Sequence, residues 1–353
     1  FVTVFALMQF LASPLLGALS DRFGRRPVIL LSNLGLGLDY IFMAVAQTLP
    51  LLFLGRVIGG FTSASIATAN AYIADVTPPE KRAASFGMLG AAFGLGFVIG
   101  PAVGGLLGSI DARLPFWVAA GLSLSNFCYG LFVLPESLVE GRHHRFEWKR
   151  ANPIGALLWL KDFPQVFGLA GASFLSVLAH TVFPATFVLY AAHRYGWSER
   201  DIGFTLAFVG VLSALVQGGL VRRVIPWIGE RRALLAGFGF AVLGFIGYGW
   251  APTGPWLWVV MPLLSLWGLA GPSLQSLMTR QIDPTEQGRL QGAVASMGAI
   301  AGVLGPYLFT HVYAAGIDPA RGGQLPGAPY YLAALVVALA LALGYLASRE
   351  RKA

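Results

Sequence analysis

The chain has 353 residues, of which 56% are hydrophobic and 11% are charged, whereas soluble domains contain about 25% charged residues. This composition indicates an integral membrane protein rather than a soluble domain. The net charge of +8 does not indicate a nucleic-acid partner, because no basic stretch is interleaved with aromatic residues on a soluble face.

A helix needs roughly 20 mainly apolar residues to cross a bilayer, and several segments of the chain meet that requirement. In chain order, these segments are 1–19, 27–48, 51–75, 85–108, 114–134, 163–191, 202–221, 233–250, 255–278, 289–314 and 328–347. We therefore predict an all-α membrane protein with eleven spans in this chain.

The distribution of Lys and Arg predicts the orientation of these spans. Of the 24 basic residues, 19 lie in the C-terminal tail or in the loops that follow segments one, three, five, seven and nine. The positive-inside rule assigns these loops, together with the C-terminus, to the cytoplasm.

The first of these loops, Gly17–Arg26, concentrates Asp21, Arg22, Arg25 and Arg26 between two apolar segments. The arginines can reach carboxylates at neighbouring helix ends, and Asp21 can face a helix N-terminus, where negative charge is favourable. One interpretation is a set of fixed contacts with these helix ends, and the alternative is plain topogenic charge satisfied by lipid headgroups. Asp21 favours the fixed contacts, because a topogenic signal needs no acidic residue.

Asp39 lies in the second segment, about 12 residues or ~18 Å from its cytoplasmic end. Ionisable groups at that depth are costly and are candidates for function. Arg56 stands near the start of the next segment, so the two side chains can meet. Two interpretations remain open, namely a proton-responsive pair that lines a cavity and a static salt bridge.

The fourth segment contains Gly96, Gly100, Pro101, Gly104 and Gly105. Proline bends a helix, and glycines allow a neighbour to pack against the bend. The pattern predicts a seal that suppresses leak, and the alternative is ordinary packing of a kinked helix.

An internal repeat relates the two parts of the chain. The Gly-Pro pair ending at Pro101 recurs at Pro306, 205 residues later. This spacing predicts two half-bundles, 1–134 and 163–348, joined by a cytoplasmic loop, 135–162. Because segment six has no partner and the chain opens on Phe, we expect a preceding helix outside this sequence, giving twelve helices in two six-helix bundles. Such repeats are typical of secondary transporters.

Candidate proton carriers are few, because segments six to eleven contain no Asp or Glu. A carboxylate carrier is therefore Asp39, Asp75 or a residue of the preceding helix. His180 and His311 titrate near neutral pH, although a lone intramembrane histidine is more often a packing residue. No spacing of His, Cys, Asp or Glu indicates a metal site.

A substrate cavity for an amphipathic organic molecule is predicted from polar and aromatic side chains within the spans. Its candidates are His180, Phe183, Gln217, Gln275 and Gln291, with Phe204 and Trp267. Each aromatic side chain, taken alone, is more often part of the core or faces lipid.

Several motifs together resemble the major facilitator superfamily. Gly17–Arg26 resembles its signature loop, Arg56–Gly60 its fourth-helix motif, and Gly96–Gly105 its antiporter motif, while Leu134–Ser137 resembles the usual end of helix six. Further stretches are similar to the tetracycline efflux subgroup, among them Ser20–Val28, Leu38–Tyr40, Ile73–Asp75, Phe93–Gly96, Pro184–Thr186, Tyr195–Trp197, Leu290–Gly292 and Gly302–Pro306.

The resemblance implies roles for particular residues. Asp21 would cap the start of helix eleven, and Arg25 would engage Asp75 at the end of helix four, latching the outward-facing state. The implied gating set is Gly17, Asp21, Arg22, Gly24, Arg25, Arg26, Asp75 and Glu136. The sequence departs from the subgroup near Ala241 and Ser213, where tetracycline–metal antiporters carry an acid and a histidine.

The resemblance also implies a major facilitator fold and a function. We expect proton-coupled efflux of a hydrophobic or amphipathic drug, such as tetracycline, by alternating access. The alternative is a facilitator or proton symporter that imports a small metabolite. The expected setting is a monomer in a bacterial-type inner membrane, powered by the proton gradient, without catalytic activity, cofactor or nucleic-acid partner.

Overall fold

The computed structural model describes residues 2–138, 153–318 and 325–349, and these residues form helices and no strand. The α-helices are α1 (Val2–Phe23), α2 (Arg25–Val45), α3 (Leu49–Ser63), α4 (Ile66–Val76), α5 (Arg82–Ile110), α6 (Leu114–Val133), α7 (Pro153–Leu160), α8 (Pro164–His180), α9 (Val182–Tyr195), α10 (Glu199–Ala214), α11 (Val221–Ile228), α12 (Glu230–Trp250), α13 (Gly254–Ser265), α14 (Ala270–Thr279), α15 (Gln287–Ile317) and α16 (Ala328–Ala347). The all-α prediction is confirmed.

Ten helical stretches of the described residues are long and apolar enough to cross a membrane. They coincide with ten of the predicted spans. The remaining prediction, 85–108, lies within α5, a helix of 29 residues. Hydropathy therefore located the helices, because an unbroken apolar run in lipid can satisfy its backbone polar groups only as a helix or a closed barrel.

Four of the ten stretches are interrupted, which hydropathy did not predict. The interruptions are Ala64–Ser65, Thr181, a π-helix at Leu215–Leu220 and a 3₁₀-helix at Leu266–Leu269. At the second of them, the Thr181 hydroxyl donates a hydrogen bond to the Leu178 carbonyl at 2.6 Å. A hydroxyl that bonds a nearby carbonyl competes with the regular helix ladder, which explains why an apolar run can break there.

The predicted loop at 17–26 is wrong in its extent. Helix α1 continues to Phe23 and α2 begins at Arg25, so only Gly24 lies between them. The Ser20 hydroxyl donates to the Gly17 carbonyl at 2.7 Å, and the Gly24 N–H donates to the Ser20 carbonyl at 3.2 Å. The Ser20 hydroxyl is thus satisfied within the helix, so its presence does not force a loop.

The chain divides into two compact units. The first unit comprises Phe1–Pro79, Ile99–Phe163 and Thr279–Ile300, and the second comprises Glu80–Val98, Pro164–Met278 and Ala301–Ala353. A small core in the first unit contains Ala12, Leu16, Val28 and Ala64. One in the second contains Ala83, Val221, Ile225, Ala233 and Leu269. The sequence-based division into half-bundles stays a prediction.

The predicted connecting loop, 135–162, is only partly described, because 139–152 lie outside the described residues. Its last part is not a loop but helix α7. Ala156 and Leu160 of α7 are fully buried and Trp159 is 8% exposed, so this helix packs within the first unit through its apolar side.

Candidate functional site

A buried ionic cluster in the first unit is centred on Arg25, whose side chain has no exposed surface. We call Asp21, Arg25 and Asp75, together with the exposed Glu136, the Arg25 cluster. Nη1 of Arg25 forms a salt bridge with Asp21, and Nε donates to Oδ2 of Asp75 at 2.9 Å. One arginine therefore forms ion pairs with two carboxylates, and this pairing offsets part of the cost of burying the three charges.

The Asp21 carboxylate also caps a helix. Oδ1 accepts the N–H of Gly288 and Oδ2 accepts the N–H of Arg289, both at 2.9 Å. These groups belong to the first turn of α15, where backbone N–H groups have no partner within the helix. A carboxylate there is stabilised by the hydrogen bonds and by the helix dipole.

Glu136 performs the same task at the start of α2. It accepts the N–H groups of Arg25 at 2.9 Å and of Arg26 at 3.1 Å. The next residue, Ser137, donates its hydroxyl to Oδ2 of Asp75 at 3.2 Å. The segment after α6 is thereby joined to the start of α2 and the end of α4.

Two glycines of the predicted gating set are required by close approach. A Cβ at Gly17 would lie 2.2 Å from the Gly288 carbonyl oxygen, so α1 and α15 cross there with their backbones nearly touching. Gly24 has φ +99°, a region that side-chain-bearing residues rarely adopt. A Cβ at Gly24 would also lie 2.4 Å from Oε2 of Glu136.

The other two members of the predicted gating set are peripheral. Arg22 is exposed, and its guanidinium lies 4.9 Å from the centre of the Phe23 ring. Arg26 donates through Nη2 to the Leu131 carbonyl at 2.6 Å. The structure therefore brings together Gly17, Asp21, Gly24, Arg25, Asp75 and Glu136.

Sequence reasoning missed some parts of this site. Arg25 also donates to the hydroxyl of Ser20 at 2.7 Å and to the carbonyl of Pro284 at 3.4 Å. Arg289 places its guanidinium 4.4 Å from the centre of the Trp159 ring in α7. A signal for the partner helix was present, because Asp283 followed by proline and Glu286 is a typical helix start.

Asp39 is 2% exposed and lies against α3. A Cβ added at Gly59 would lie 2.7 Å from Oδ2 of Asp39, and a Cβ added at Gly55 would lie 3.4 Å from Oδ1. The absence of side chains at these glycines therefore leaves space for the carboxylate. Neither oxygen accepts a hydrogen bond from any described residue. Arg56 interacts with Asp39 electrostatically, while its guanidinium lies 5.8 Å from the Phe5 ring centre.

The Gly96–Gly105 motif differs from the packing that we expected. A Cβ at Gly96, Gly100 or Gly104 would meet no described atom within 4 Å, so no neighbour packs closely there. The surroundings of Pro101 and Gly105 lie outside the description. The close approach occurs earlier in α5, where a Cβ at Gly90 would lie 1.7 Å from Oε1 of Gln217.

Four predicted cavity residues, Gln217, His180, Phe183 and Trp267, lie at or next to helix interruptions of the second unit. Gln217 belongs to the π-helix and donates to the Ser213 hydroxyl at 2.8 Å. His180 ends α8, and its ring centre is 5.9 Å from that of Phe183 and 5.7 Å from that of Trp267. Irregular helical segments are frequent at functional sites, and transporters build their binding sites from discontinuous helices.

The remaining candidates are dispersed. Gln275 is half-buried in α14, and Phe204 is 56% exposed, with Arg200 5.5 Å from its ring centre. Gln291 is 1% exposed and belongs to the first unit, so its assignment to the substrate cavity stays a prediction. Ala241 is fully buried in α12. Nδ1 of His311 lies 2.8 Å from the Tyr307 carbonyl.

No group of three or more His, Cys, Asp or Glu within the described ranges is arranged to hold a metal ion.

Known proteins resemble this chain over most of its length. The chain is 39% identical over 335 residues to the class C tetracycline resistance protein of Escherichia coli, covering 95% of this chain and 84% of the relative. It is 37% identical to the class B protein of Escherichia coli, covering 88% and 78%. The human organic anion transporter MFSD10 (TETRAN) superposes with a TM-score of 0.87 at 25% identity, covering 97% of this chain and 82% of that one.

The sequence profile of the Major Facilitator Superfamily matches residues 1–306. The helical spans, the buried Arg25 cluster and these matches lead to one conclusion: the chain belongs to the Major Facilitator Superfamily of membrane transporters.

Proposed function

We propose that this protein is a proton-driven antiporter that exports a hydrophobic or amphipathic drug by alternating access. The relatives named as tetracycline resistance proteins support this proposal and make tetracyclines the first substrates to test. The observation that carries it is the fully buried Arg25, which bridges Asp21 and Asp75 while Asp21 caps α15.

Alternating access requires contacts that hold one state and separate in the other. We assign this role to the Arg25 cluster, which fastens the start of α15 to the ends of α1 and α4. Removing one partner of a buried ion pair costs about 3–5 kcal/mol. The contacts of the cluster must therefore break together rather than one at a time. A closed cytoplasmic side is the state that it would stabilise.

Asp39 is our candidate for proton coupling. It is buried, it lacks a hydrogen-bonding partner among the described residues, and it interacts electrostatically with Arg56. Protonation would remove its charge and thereby weaken its attraction to Arg56. The interrupted helices of the second unit, with His180, Phe183 and Gln217, are our candidate contacts for the drug.

We propose the following setting for this activity. The protein works as a monomer in a bacterial-type inner membrane, with its C-terminus in the cytoplasm. It uses the proton gradient, needs no cofactor and has no catalytic activity.

The substitution Asp39→Asn tests proton coupling. Uptake of tetracycline into everted vesicles, driven by an imposed pH gradient, is expected to fall to the level of vesicles that lack the transporter. Exchange of labelled for unlabelled drug without a gradient is expected to persist, because Asn retains the shape of the side chain but cannot ionise.

Asp111→Asn is the matched control, since Asp111 is exposed in the turn between α5 and α6. It is expected to leave gradient-driven uptake unchanged. Retention of pH-driven uptake by the Asp39 variant would refute the carboxylate assignment. The alternative of a metabolite importer predicts no drug accumulation in everted vesicles from the unmodified protein.

A further inference from the structure

Four arginines surround the junction of α11 and α12 in the second unit. Arg222, Arg223, Arg231 and Arg232 are all exposed, and we call them, together with Trp227, the basic turn. The Trp227 side chain is 85% exposed. Such a concentration of charge and aromatic surface is unusual in a chain with only 11% charged residues.

Two arginines converge on one ring beside this turn. The guanidinium carbons of Arg231 and Arg349 lie 5.4 Å and 4.7 Å from the centre of the Tyr345 ring. Arg349 also donates to the Tyr345 hydroxyl at 2.8 Å, and Arg231 donates to the Ser348 hydroxyl at 3.3 Å. Cation–π contacts and hydrogen bonds thus fix two like charges near each other.

No carboxylate neutralises these cations within the described ranges. None of the five arginines forms an ion pair there. Glu230, the acidic neighbour of Arg231, accepts a hydrogen bond from the hydroxyl of Ser276 in α14. Two cations held beside one ring repel each other, so an external anion would stabilise the arrangement.

The position of the cluster identifies the kind of anion. Candidate spans end at Ile228 and Ala347, and another begins at Glu230. Arg231, Arg232 and Arg349 therefore lie at the level where apolar helix meets polar headgroup, while Arg222 and Arg223 lie within the last turns of the span that ends at Ile228. Exposed Trp and Tyr side chains favour the same level. Basic pockets between helix ends on the cytoplasmic side bind anionic lipid headgroups.

We propose that Arg231, Arg349 and Tyr345, with the basic turn, form a binding site for the headgroup of an anionic phospholipid. Topogenic charge alone depends on the number of Lys and Arg near the span ends. A built site depends in addition on the Tyr345 ring, which carries no charge. This difference allows the two explanations to be separated.

The first experiment measures binding of phosphatidylglycerol and of phosphatidylcholine to purified protein by native mass spectrometry. Arg231→Gln combined with Arg349→Gln is expected to weaken phosphatidylglycerol binding about thirtyfold, from about 1 kcal/mol for each basic residue. Arg113→Gln combined with Arg200→Gln removes the same charge from the predicted opposite side and is expected to change binding less than twofold.

Tyr345→Leu is the decisive variant, because it leaves the net charge unchanged. Loss of two cation–π contacts is expected to weaken phosphatidylglycerol binding about fivefold to tenfold. Tyr129→Leu, at a tyrosine that is 64% exposed on α6, is the matched control and is expected to have no effect. A fluorescent reporter at the C-terminus verifies that all variants keep the same orientation.

Two results would overturn the proposal. The first is that the Tyr345→Leu variant binds phosphatidylglycerol as well as the unmodified protein does. Topogenic charge alone would then explain the lipid binding. The second is inorganic phosphate at millimolar concentration displacing the lipid completely, which would identify a soluble anion as the ligand.

Discussion

Two glycine turns, one in each unit, have the same backbone and different surroundings. Gly24 and Gly229 are 205 residues apart, the spacing that also separates Pro101 from Pro306. Gly24 has φ 99° and ψ 156°, and Gly229 has φ 82° and ψ 155°. Each glycine directly precedes a long helix that begins with charged residues.

The side chains around the two turns have diverged. After Gly24, Arg25 is fully buried between two carboxylates, and Glu136 presses against the glycine. At Gly229, an added Cβ would meet no described atom within 4 Å, and the neighbouring arginines are exposed. The backbone turn is thus common to both units, whereas a buried ionic cluster follows only the first turn among the residues that the structure describes.

The largest effect that this comparison predicts is that of Arg25→Gln. The variant leaves the buried carboxylates of Asp21 and Asp75 without their cation, which costs about 3–5 kcal/mol. We expect a large fall in the thermal unfolding temperature in detergent and loss of drug efflux. Arg26→Gln, at a half-buried neighbour outside the ion pairs, serves as the control. Equal effects of both variants would contradict the assignment of the cluster to Arg25.

An intermediate effect is expected for alanine at the two glycines. Both backbones lie in a region that is essentially restricted to glycine, so each substitution costs about 1–3 kcal/mol. Gly24→Ala must in addition displace the Glu136 carboxylate, and we expect it to lower the unfolding temperature more than Gly229→Ala does. A larger effect at Gly229 would show that the crowding around Gly24 is unimportant.

The smallest effect is expected for Arg232→Gln in the basic turn. Exposed substitutions away from caps and ion pairs usually change stability by less than about 0.5 kcal/mol. The unfolding temperature in a neutral detergent should therefore equal that of the unmodified protein. A marked loss of stability would indicate that the second turn also contains a structural ion pair.

Much of the fold and part of the site could be predicted from the sequence. Apolar length located the spans, and the mixture of acid and arginine in 17–26 indicated contacts of Asp21 and Arg25 with helix ends. The resemblance to the superfamily supplied the partners, including Asp75. Hydropathy could not supply them, because a contact between residues 267 positions apart, as between Asp21 and Gly288, leaves no periodic signal.

The features that the sequence did not predict depend on which polar groups find hydrogen-bonding partners nearby and on how closely the helices pack. Ser20 and Asp21 remain helical because their side chains reach hydrogen-bonding partners from the helix. Gly24 is therefore the only residue between α1 and α2. Gln291 is predicted to line a cavity from its residue type, and in this structure it is 1% exposed. A polar side chain in a span can face either a cavity or a buried partner, and composition does not distinguish the two.

The π-helix at Leu215–Leu220 has a consequence for how this protein tolerates insertions and deletions. A π-turn accommodates one residue more than an α-turn, and each residue of an α-helix rotates the following side chains by about 100°. Deletion of one apolar residue there would leave the hydropathy profile almost unchanged. It would nevertheless rotate Arg222 and Arg223 about the helix axis, away from their present direction. A difference of one residue in the length of this stretch should therefore be interpreted as a rotation of the side chains that follow it.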